Sequence, residues 1–238
     1  MLKKNSLEEL IHQKPQLHCR TDSTNGIKVL EAGVYNWAIG DDVLKWLFGK
    51  MDSNWRTLET GCGYSTIVFS ISETEHTTIS PFREEHDAIK NWCSERNINL
   101  TKCKFIEAKS QNVIYKLPDL PLDIVIVDGD HSFPIPFIDW YYTADRIKKD
   151  GYVVVDDTQI ITGRILSDFL SKEKGRWELA HEFGKTSVFR KVTEKSVLKE
   201  IYWLQPYCEK LLNKKGKTYV QSIFNKFAYH IKSMFKNS

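Results

Sequence analysis

Four carboxylates stand at the ends of two strongly apolar segments of the chain. They are Asp128, Asp130, Asp156 and Asp157. The segments, Ile124–Val127 and Tyr152–Val155, are rich in β-branched residues, which is typical of parallel strands covered on both faces. Ligands of open α/β sheets bind beyond the carboxyl ends of such strands. If the two strands are neighbours, the four carboxylates and His131 meet in one cleft, where like charges are costly without a cation or shared protons.

Several roles are open for these side chains. Three carboxylates would suit a hard cation such as Mg²⁺, which prefers oxygen ligands. Asp is also an ordinary N-cap residue, so individual carboxylates could instead cap the following helices or face solvent. Histidine exchanges protons near neutral pH, so His131 could act as a base, or it could orient the turn through a hydrogen bond.

A glycine-containing turn lies where the first predicted strand meets its helix, in the segment Glu59-Thr-Gly61-Cys-Gly63-Tyr-Ser65. Glycines at this place allow a tight turn and a close approach of a ligand to the backbone. The dinucleotide fingerprint requires a third glycine where this chain has Thr66. The carboxylate of Glu59 would repel a pyrophosphate and attract a cationic ligand. S-adenosylmethionine fits this description, since it carries an ammonium and a sulfonium but no phosphate.

The elements that must position these residues alternate between short apolar runs and helical patterns. The predicted strands cover 56–59, 76–80, 103–107, 122–128 and 151–156, followed by 177–183 and 186–192. The predicted helices cover 41–51, 65–72, 84–95, 111–116, 135–149 and 162–172. The last two strands are joined by Gly184-Lys185 and should be antiparallel. This order predicts a doubly wound, Rossmann-like α/β sheet that ends in a hairpin.

The composition supports a globular domain and excludes several classes of protein. Of 238 residues, 41% are hydrophobic and 12% aromatic, which is enough for a sizeable core. The net charge of +3 is small, so specific nucleic-acid binding is not expected. No apolar run approaches the ~20 residues of a membrane span, and no signal peptide is recognised. Five cysteines without a C-x-x-C pair favour the cytoplasm.

The segment Glu59–Ser65, with Val127-Asp-Gly-Asp-His131 and Val155-Asp-Asp-Thr158 downstream, resembles class I S-adenosylmethionine-dependent methyltransferases. It is most similar to the small-molecule O-methyltransferase branch that includes catechol O-methyltransferase and antibiotic-sugar methyltransferases. The resemblance covers about residues 36–192. It implies a seven-stranded sheet with a C-terminal antiparallel hairpin, S-adenosylmethionine as cofactor, and a small-molecule hydroxyl as methyl acceptor.

The resemblance also implies roles for individual residues. The implied cofactor-binding residues are Glu59, Gly61, Gly63, Ser65, Ser80, Ser110, Gln111 and Asp128. The implied ligands of a metal such as Mg²⁺ are Asp128, Asp156 and Asp157. Asp130 is the implied catalytic base, with His131 as the alternative. The family usually has an acid where this chain has Ser80; the hydroxyl of Ser80 could bind a ribose hydroxyl, and Glu84 or Glu85 could reach back to it.

The predicted domain organisation has three parts. Residues 1–35 form an N-terminal extension, 36–192 the methyltransferase domain, and 193–238 a basic helical C-terminal extension. In the tail, Val220, Phe224, Phe227, Ile231 and Met234 recur at helical spacing beside lysines. This stripe should pack on the protein's own domain or on a second copy; the alternative is weak contact with an anionic membrane surface.

Competing functions remain open from the sequence. The leading hypothesis is metal-assisted methylation of a hydroxyl on a small molecule, and a metal-free reaction at another atom is its near alternative. A non-catalytic ligand-binding or scaffold protein could keep the same fold. An NAD-dependent oxidoreductase is disfavoured by Glu59 and Thr66.

Overall fold

A computed structural model describes residues 2–17, 38–198 and 205–208, and seven strands form one sheet at its centre. The strands are β1 Arg56–Thr60, β2 Glu75–Ser80, β3 Cys103–Glu107, β4 Leu122–Val127, β5 Ile147–Val155, β6 Trp177–Phe183 and β7 Thr186–Lys191. The helices are α1 Leu2–Gln13, α2 Asp41–Lys50, α3 Tyr64–Ile71, α4 Arg83–Glu95, α5 Ser110–Val113, α6 Ile135–Ala144 and α7 Ile161–Lys172. A short 3₁₀ turn, Ile114–Lys116, follows α5.

The order of strands in the sheet confirms the predicted fold. It is β3-β2-β1-β4-β5-β7-β6, and β7 alone runs against the others. The chain winds outward from β1 to β3 and then returns to place β4 on the other side of β1. The carboxyl ends of β1 and β4 therefore adjoin at a topological switch point, where ligands of this fold class bind. Val127 pairs with Val155, so the two acidic strand ends are neighbours as expected.

The central strands are buried on both faces, which explains their continuous apolar sequences. In β4, Ile124 and Ile126 pack into the core on one face, whereas Val125 and Val127 pack into the core on the other. The first core is covered by apolar residues of α1 to α4, and the second by those of α6 and α7. Both sides of the sheet thus hold the switch point rigidly.

The N-terminal segment contains a helix that is absent from the predicted elements. Residues 2–13 form α1. Leu7, Leu10 and Leu17 are buried in the same core as α2 and α3. The hydroxyl of Tyr64 donates a 2.8 Å hydrogen bond to the carbonyl of Pro15. Tertiary burial, and not local helix propensity, therefore decides the structure of this segment.

The helix predicted over 135–149 is too long. It ends at Ala144, and β5 begins at Ile147, which is buried and pairs with Leu122. Asp150 then adopts a left-handed conformation (φ +66°), and a Cβ on Gly151 would lie 2.9 Å from the carbonyl oxygen of Asp123. The glycine that resembles a helix C-cap is instead needed where β5 passes close to β4.

Two of the sequence-based predictions fall outside the described residues. These are the boundary at 35/36 and the amphipathic tail over 219–238. Among the described residues, no helix has the length and apolar character that crossing a bilayer requires.

Candidate active site

A cleft opens to solvent at the switch point between β1 and β4. One wall is the glycine turn between Gly61 and Ser65. The opposite wall carries Asp128, His131 and Asp157. The cleft therefore brings together the two motifs that the sequence places 60 residues or more apart.

Gly61 is required by the fold itself. Its φ is +86°, and its amide donates a 2.9 Å hydrogen bond to the carbonyl of Ile79 in β2. A Cβ at this position would lie 2.3 Å from the carbonyl oxygen of Asp128. Any side chain here would push apart the ends of β1 and β4, so a substitution at Gly61 disturbs the fold as well as the cleft.

Glu59 lies behind the glycine turn and not on the wall of the cleft. Its side chain is 2% exposed. One carboxylate oxygen accepts a 2.6 Å hydrogen bond from Ser65, and the other accepts one from Thr66 and lies 3.0 Å from Nε2 of His76. Thr66 also accepts a 2.9 Å hydrogen bond from the amide of Gly63 at the N-terminus of α3. Glu59 thereby holds the turn in place from inside the fold.

The other predicted cofactor residues are divided between the cleft and its surroundings. Gly61, Gly63, Ser65 and Asp128 line the cleft. Ser80 is buried, and its hydroxyl lies 3.4 Å from Glu85, which also accepts a 3.5 Å contact from the thiol of Cys62. Glu85 thus reaches back to Ser80, whereas Glu84 is exposed.

Ser110 and Gln111 begin α5, beyond the end of β3. Ser110 is buried, and the side-chain oxygen of Gln111 is buried without a hydrogen-bond partner. The carboxylate of Asp139, in α6, lies near Ser110 and Thr60 but makes no hydrogen bond to any residue that the structure describes, and its exposed fraction is 1%. Burial raises its pKa to about 6, although the nearby hydroxyls oppose this shift. Sequence patterns did not indicate Asp139, because it looks like one more polar residue on a helix.

Two of the three predicted metal ligands meet in the cleft, and His131 takes the place of the third. Nε2 of His131 lies 3.0 Å from Oδ2 of Asp157 and 3.7 Å from Oδ1 of Asp128. One ligand atom from each of these three residues lies within 4.8 Å of the others. The backbone carbonyl of His131 accepts a 2.6 Å hydrogen bond from Thr162, which ties the turn after β4 to α7.

Asp156 does not belong to this group, which corrects its assignment as a metal ligand facing the cleft. Its side chain is fully buried and accepts a hydrogen bond from Thr186 in β7. The residue after it turns the other way because Asp157 has a left-handed backbone (φ +52°) that Asp tolerates. A Cβ on Gly163 would lie 2.7 Å from the carbonyl oxygen of Asp157. The first turn of α7 can therefore approach this bend closely.

Lys185 is a functional candidate that the sequence analysis used only as part of a turn. Its Nζ lies 2.8 Å from Oδ1 of Asp157 and 3.3 Å from Oδ2 of Asp156. Burial would lower the pKa of the ammonium, but the two carboxylates outweigh this effect and raise it. The sequence did contain a signal for Lys185. The predicted strand β6 runs parallel to β5, so the Gly184-Lys185 turn that follows it must lie at the same edge of the sheet as Asp156 and Asp157.

The carboxylates differ in charge state because their surroundings differ. Burial and the neighbouring carboxylates raise the pKa of Asp128 well above its ordinary value. Burial also raises the pKa of Asp156, although Lys185 and Thr186 oppose the shift. Burial opposes ionisation of Asp157 as well, but hydrogen bonds from His131, Lys185 and Gln159 hold its pKa well below the usual range. Asp157 is thus the fixed anion of the cluster.

Asp130, the predicted base, points out of the cleft. The residue is exposed, and its carboxylate accepts a 2.8 Å hydrogen bond from the amide of Ser132. Burial would raise its pKa, but the hydrogen bonds from Ser132, together with the nearby Lys109 and His131, outweigh this effect and lower it. A lowered pKa makes a carboxylate a weaker base. The geometry therefore favours the alternative, His131, as the group that receives a proton.

A Mg²⁺ ion held by Asp128, Asp156 and Asp157 does not fit this arrangement. Asp156 faces Thr186 and Lys185, and the residue that replaces it offers an imidazole nitrogen to an ion that prefers oxygen. Both carboxylate oxygens of Asp157 already face protein donors: Oδ1 accepts from Lys185 and from Gln159, each at 2.8 Å, and Oδ2 lies beside His131.

Comparison with known proteins identifies the domain. Residues 58–158, which span the glycine turn and both acidic strand ends, match the family model described as a methyltransferase domain. The chain carries a methyltransferase domain. The prediction of a class I S-adenosylmethionine-dependent methyltransferase is thus confirmed at the level of the domain and its fold. Among proteins of curated function, none matches the chain significantly.

Solved methyltransferases share the fold at low identity. The S-adenosylhomocysteine-bound methyltransferase PaMTH1 of Podospora anserina is 16% identical over 66% of this chain and 81% of its own, with a TM-score of 0.53. The O-methyltransferase TomG of Streptomyces achromogenes, in complex with S-adenosylmethionine, is 14% identical over 81% and 90%, with a TM-score of 0.54. An rRNA methylase of Streptococcus thermophilus is 11% identical over 64% and 96%, with a TM-score of 0.50. These neighbours act in different reactions, so the fold leaves the acceptor open.

Proposed function

We propose that this methyltransferase domain transfers a methyl group from S-adenosylmethionine to a hydroxyl of a small molecule, and that His131 receives the hydroxyl proton. The observation that carries the proposal is the position of His131. Its imidazole is 3.0 Å from the carboxylate of Asp157 and lines the same cleft as the glycine turn. A base beside a cofactor turn is what a weakly nucleophilic hydroxyl requires.

The chain offers suitable groups for each end of the methionine part of the cofactor. The amides at the N-terminus of α3 favour a carboxylate. Asp128 would complement an ammonium, whose positive charge would favour the ionised form of this side chain. When bound, S-adenosylmethionine would supply a methyl group made electrophilic by its sulfonium.

The pairing of His131 with Asp157 suits proton transfer. Asp157 beside Nε2 favours the tautomer with the proton on that nitrogen, so Nδ1 is left as an acceptor. Nδ1 has no hydrogen-bond partner within the described part of the chain. When the acceptor hydroxyl gives up its proton to Nδ1, the Asp157 carboxylate stabilises the imidazolium that forms. The remaining work is positioning, which dominates in an in-line displacement.

A small-molecule acceptor is favoured over a nucleic acid by the charge of the cleft. Asp128 and Asp157 stand on its wall. A nucleic-acid backbone carries one negative charge per phosphate and is bound by clustered Lys and Arg. Metal assistance has weaker support than a protein base, because the predicted Mg²⁺ ligands do not all face the cleft. The non-catalytic alternative is not favoured, since it gives the His131–Asp157 pair on the wall of the cleft no role.

The test separates cofactor binding from proton removal. Calorimetry with S-adenosylmethionine should show one site in the wild type and in His131→Gln. Transfer of a labelled methyl group to a panel of catechols, phenols and sugars should fall by roughly 10²–10⁴-fold in His131→Gln. The matched control is Asp130→Asn, whose exposed side chain should leave the rate within about threefold of the wild type.

Two results would contradict the proposal. One is the absence of cofactor binding in the folded wild type. The other is a rate that falls in Asp130→Asn and not in His131→Gln, which would make the exposed carboxylate the base.

A further inference from the structure

The hairpin between β6 and β7 places Lys185 beside the acidic cluster, which consists of the carboxylates of Asp128, Asp156 and Asp157. Gly184, with φ +58°, and Lys185 form the whole connection between the two strands. The backbone carbonyl of Lys185 accepts hydrogen bonds from the amide and the hydroxyl of Thr158, at 2.8 and 2.9 Å. The hairpin is therefore anchored to the turn that follows β5, and these hydrogen bonds hold the backbone of Lys185 beside that turn.

The ammonium of Lys185 sits between two largely shielded carboxylates. The exposed fractions of the side chains are 29% for Lys185, 0% for Asp156 and 7% for Asp157. Its distances of 2.8 Å to Asp157 and 3.3 Å to Asp156 are contact distances for an ion pair. Pairs in such surroundings interact more strongly than exposed pairs, because water screens them less.

The position of this ammonium bears on the need for a metal. Three neighbouring carboxylates require compensating positive charge. The sequence-based prediction is that a Mg²⁺ ion provides this charge. Here Lys185 already contacts two of the three carboxylates, and a divalent ion bound between them would have to displace it. We propose that Lys185 is a built-in cation that takes the electrostatic place of the predicted Mg²⁺, so that the acidic cluster of this chain needs no divalent metal.

The proposal concerns the charge balance of the cluster and does not depend on the acceptor. It is tested with Mn²⁺ as the probe ion, followed by calorimetry and electron paramagnetic resonance on the full chain. The wild type should show no stoichiometric Mn²⁺ site. Lys185→Met should gain one, with binding at least about tenfold tighter than in the wild type, since its carboxylates are left without a cation.

A matched control is available at the opposite edge of the sheet. Lys148 donates a 2.8 Å hydrogen bond to Asp123 near the start of β4, but no second carboxylate of the described residues contacts it. Lys148→Met therefore removes the same charge from a Lys–Asp pair without leaving a cluster, and it should gain no Mn²⁺ site.

Thermal stability provides a second readout that needs no activity. Added Mn²⁺ should raise the melting temperature of Lys185→Met and leave that of the wild type unchanged, because only the variant binds the ion in its folded state. If Lys185→Met does not fold, Lys185→Gln keeps most of the side-chain volume and removes the charge. One tight Mn²⁺ site in the wild type, unchanged by either substitution, would overturn the proposal.

Discussion

At the carboxyl edge of the sheet, the carboxylate beside β1 and those beside β4 and β5 differ in how fully they are hydrogen-bonded. Beside β1, the carboxylate of Glu59 is enclosed by three donors and has no contact with the cleft. The donors are Ser65, Thr66 and His76. Beside β4 and β5, three carboxylates have fewer side-chain partners for each carboxylate, and two of the three face the cleft. Their basic partners are His131 and Lys185.

The difference separates structural from functional carboxylates. A buried carboxylate that is satisfied by hydrogen bonds within its own neighbourhood stabilises the fold. Carboxylates that exceed the local donors must be balanced by cations or remain protonated, and such groups respond to ligands and protons. The glycine turn is thus a rigid wall of the cleft, and the acidic strand ends are its reactive wall.

The largest loss of stability should come from replacing the carboxylate of Glu59. Glu59→Gln replaces one acceptor oxygen by an amide NH₂ that faces other donors, which should lower the free energy of unfolding by about 4 kcal/mol. Urea unfolding followed by circular dichroism measures this loss. The control is Glu75→Gln, the same change at an exposed residue that pairs with Arg56 at the surface; the loss there should be below about 1 kcal/mol. Equal losses in the two variants would show that Glu59 does not support the fold.

Asp139 sharpens the comparison because its buried carboxylate has only the hydroxyls of Ser110 and Thr60 nearby and forms no ion pair within the described residues. Its pKa of about 6 in the folded protein exceeds the ordinary value of 3.8. The folded state therefore binds the proton more tightly than the unfolded state. Stability contributed by the protonated carboxyl is complete below about pH 4 and is lost as the pH rises through about 6.

The matching variant is Asp139→Asn, which removes this titration. Between pH 4 and pH 7.5 the wild type should lose about 3 kcal/mol of stability relative to the variant, a shift of about two pKa units. The measurement is the free energy of unfolding of both proteins at a series of pH values. Parallel curves would mean that Asp139 titrates normally, and the view of it as an unpartnered buried acid would be wrong.

The smallest change in stability should come from Asp156, which lies among the carboxylates beside β4 and β5. Asp156→Asn makes the same change from carboxylate to amide as Glu59→Gln, and also at a fully buried side chain. Here the loss of the ion pair with Lys185 is offset by the relief of repulsion from Asp157 and Asp128. The free energy of unfolding should therefore change by less than about 1 kcal/mol in either direction. A loss as large as that of Glu59→Gln would contradict the difference between the carboxylate beside β1 and those beside β4 and β5.

The order of secondary-structure elements could be read from the sequence with few errors. Apolar runs such as Ile124–Val127 and the glycine turn report local physics: burial on two faces, and a tight strand-to-helix turn. The errors lie where local and tertiary signals compete. The predicted helix over 135–149 stops at Ala144 because Ile147 is captured by pairing with Leu122, and α1 forms because its leucines are buried by other elements.

The sequence by itself also determined which residue types meet at the switch point, since strand order brings the carboxyl ends of β1, β4 and β5 together. Only the tertiary structure decided how each side chain is used. Asp156 and Asp157 are neighbours in the chain, yet the left-handed backbone of Asp157 sends one carboxylate inward and the other toward His131. Lys185 reaches both from a hairpin 28 residues away. Side-chain direction at a strand end depends on the turn that follows, and the partner of a buried charge depends on which distant loop folds over it. Neither is encoded in local spacing.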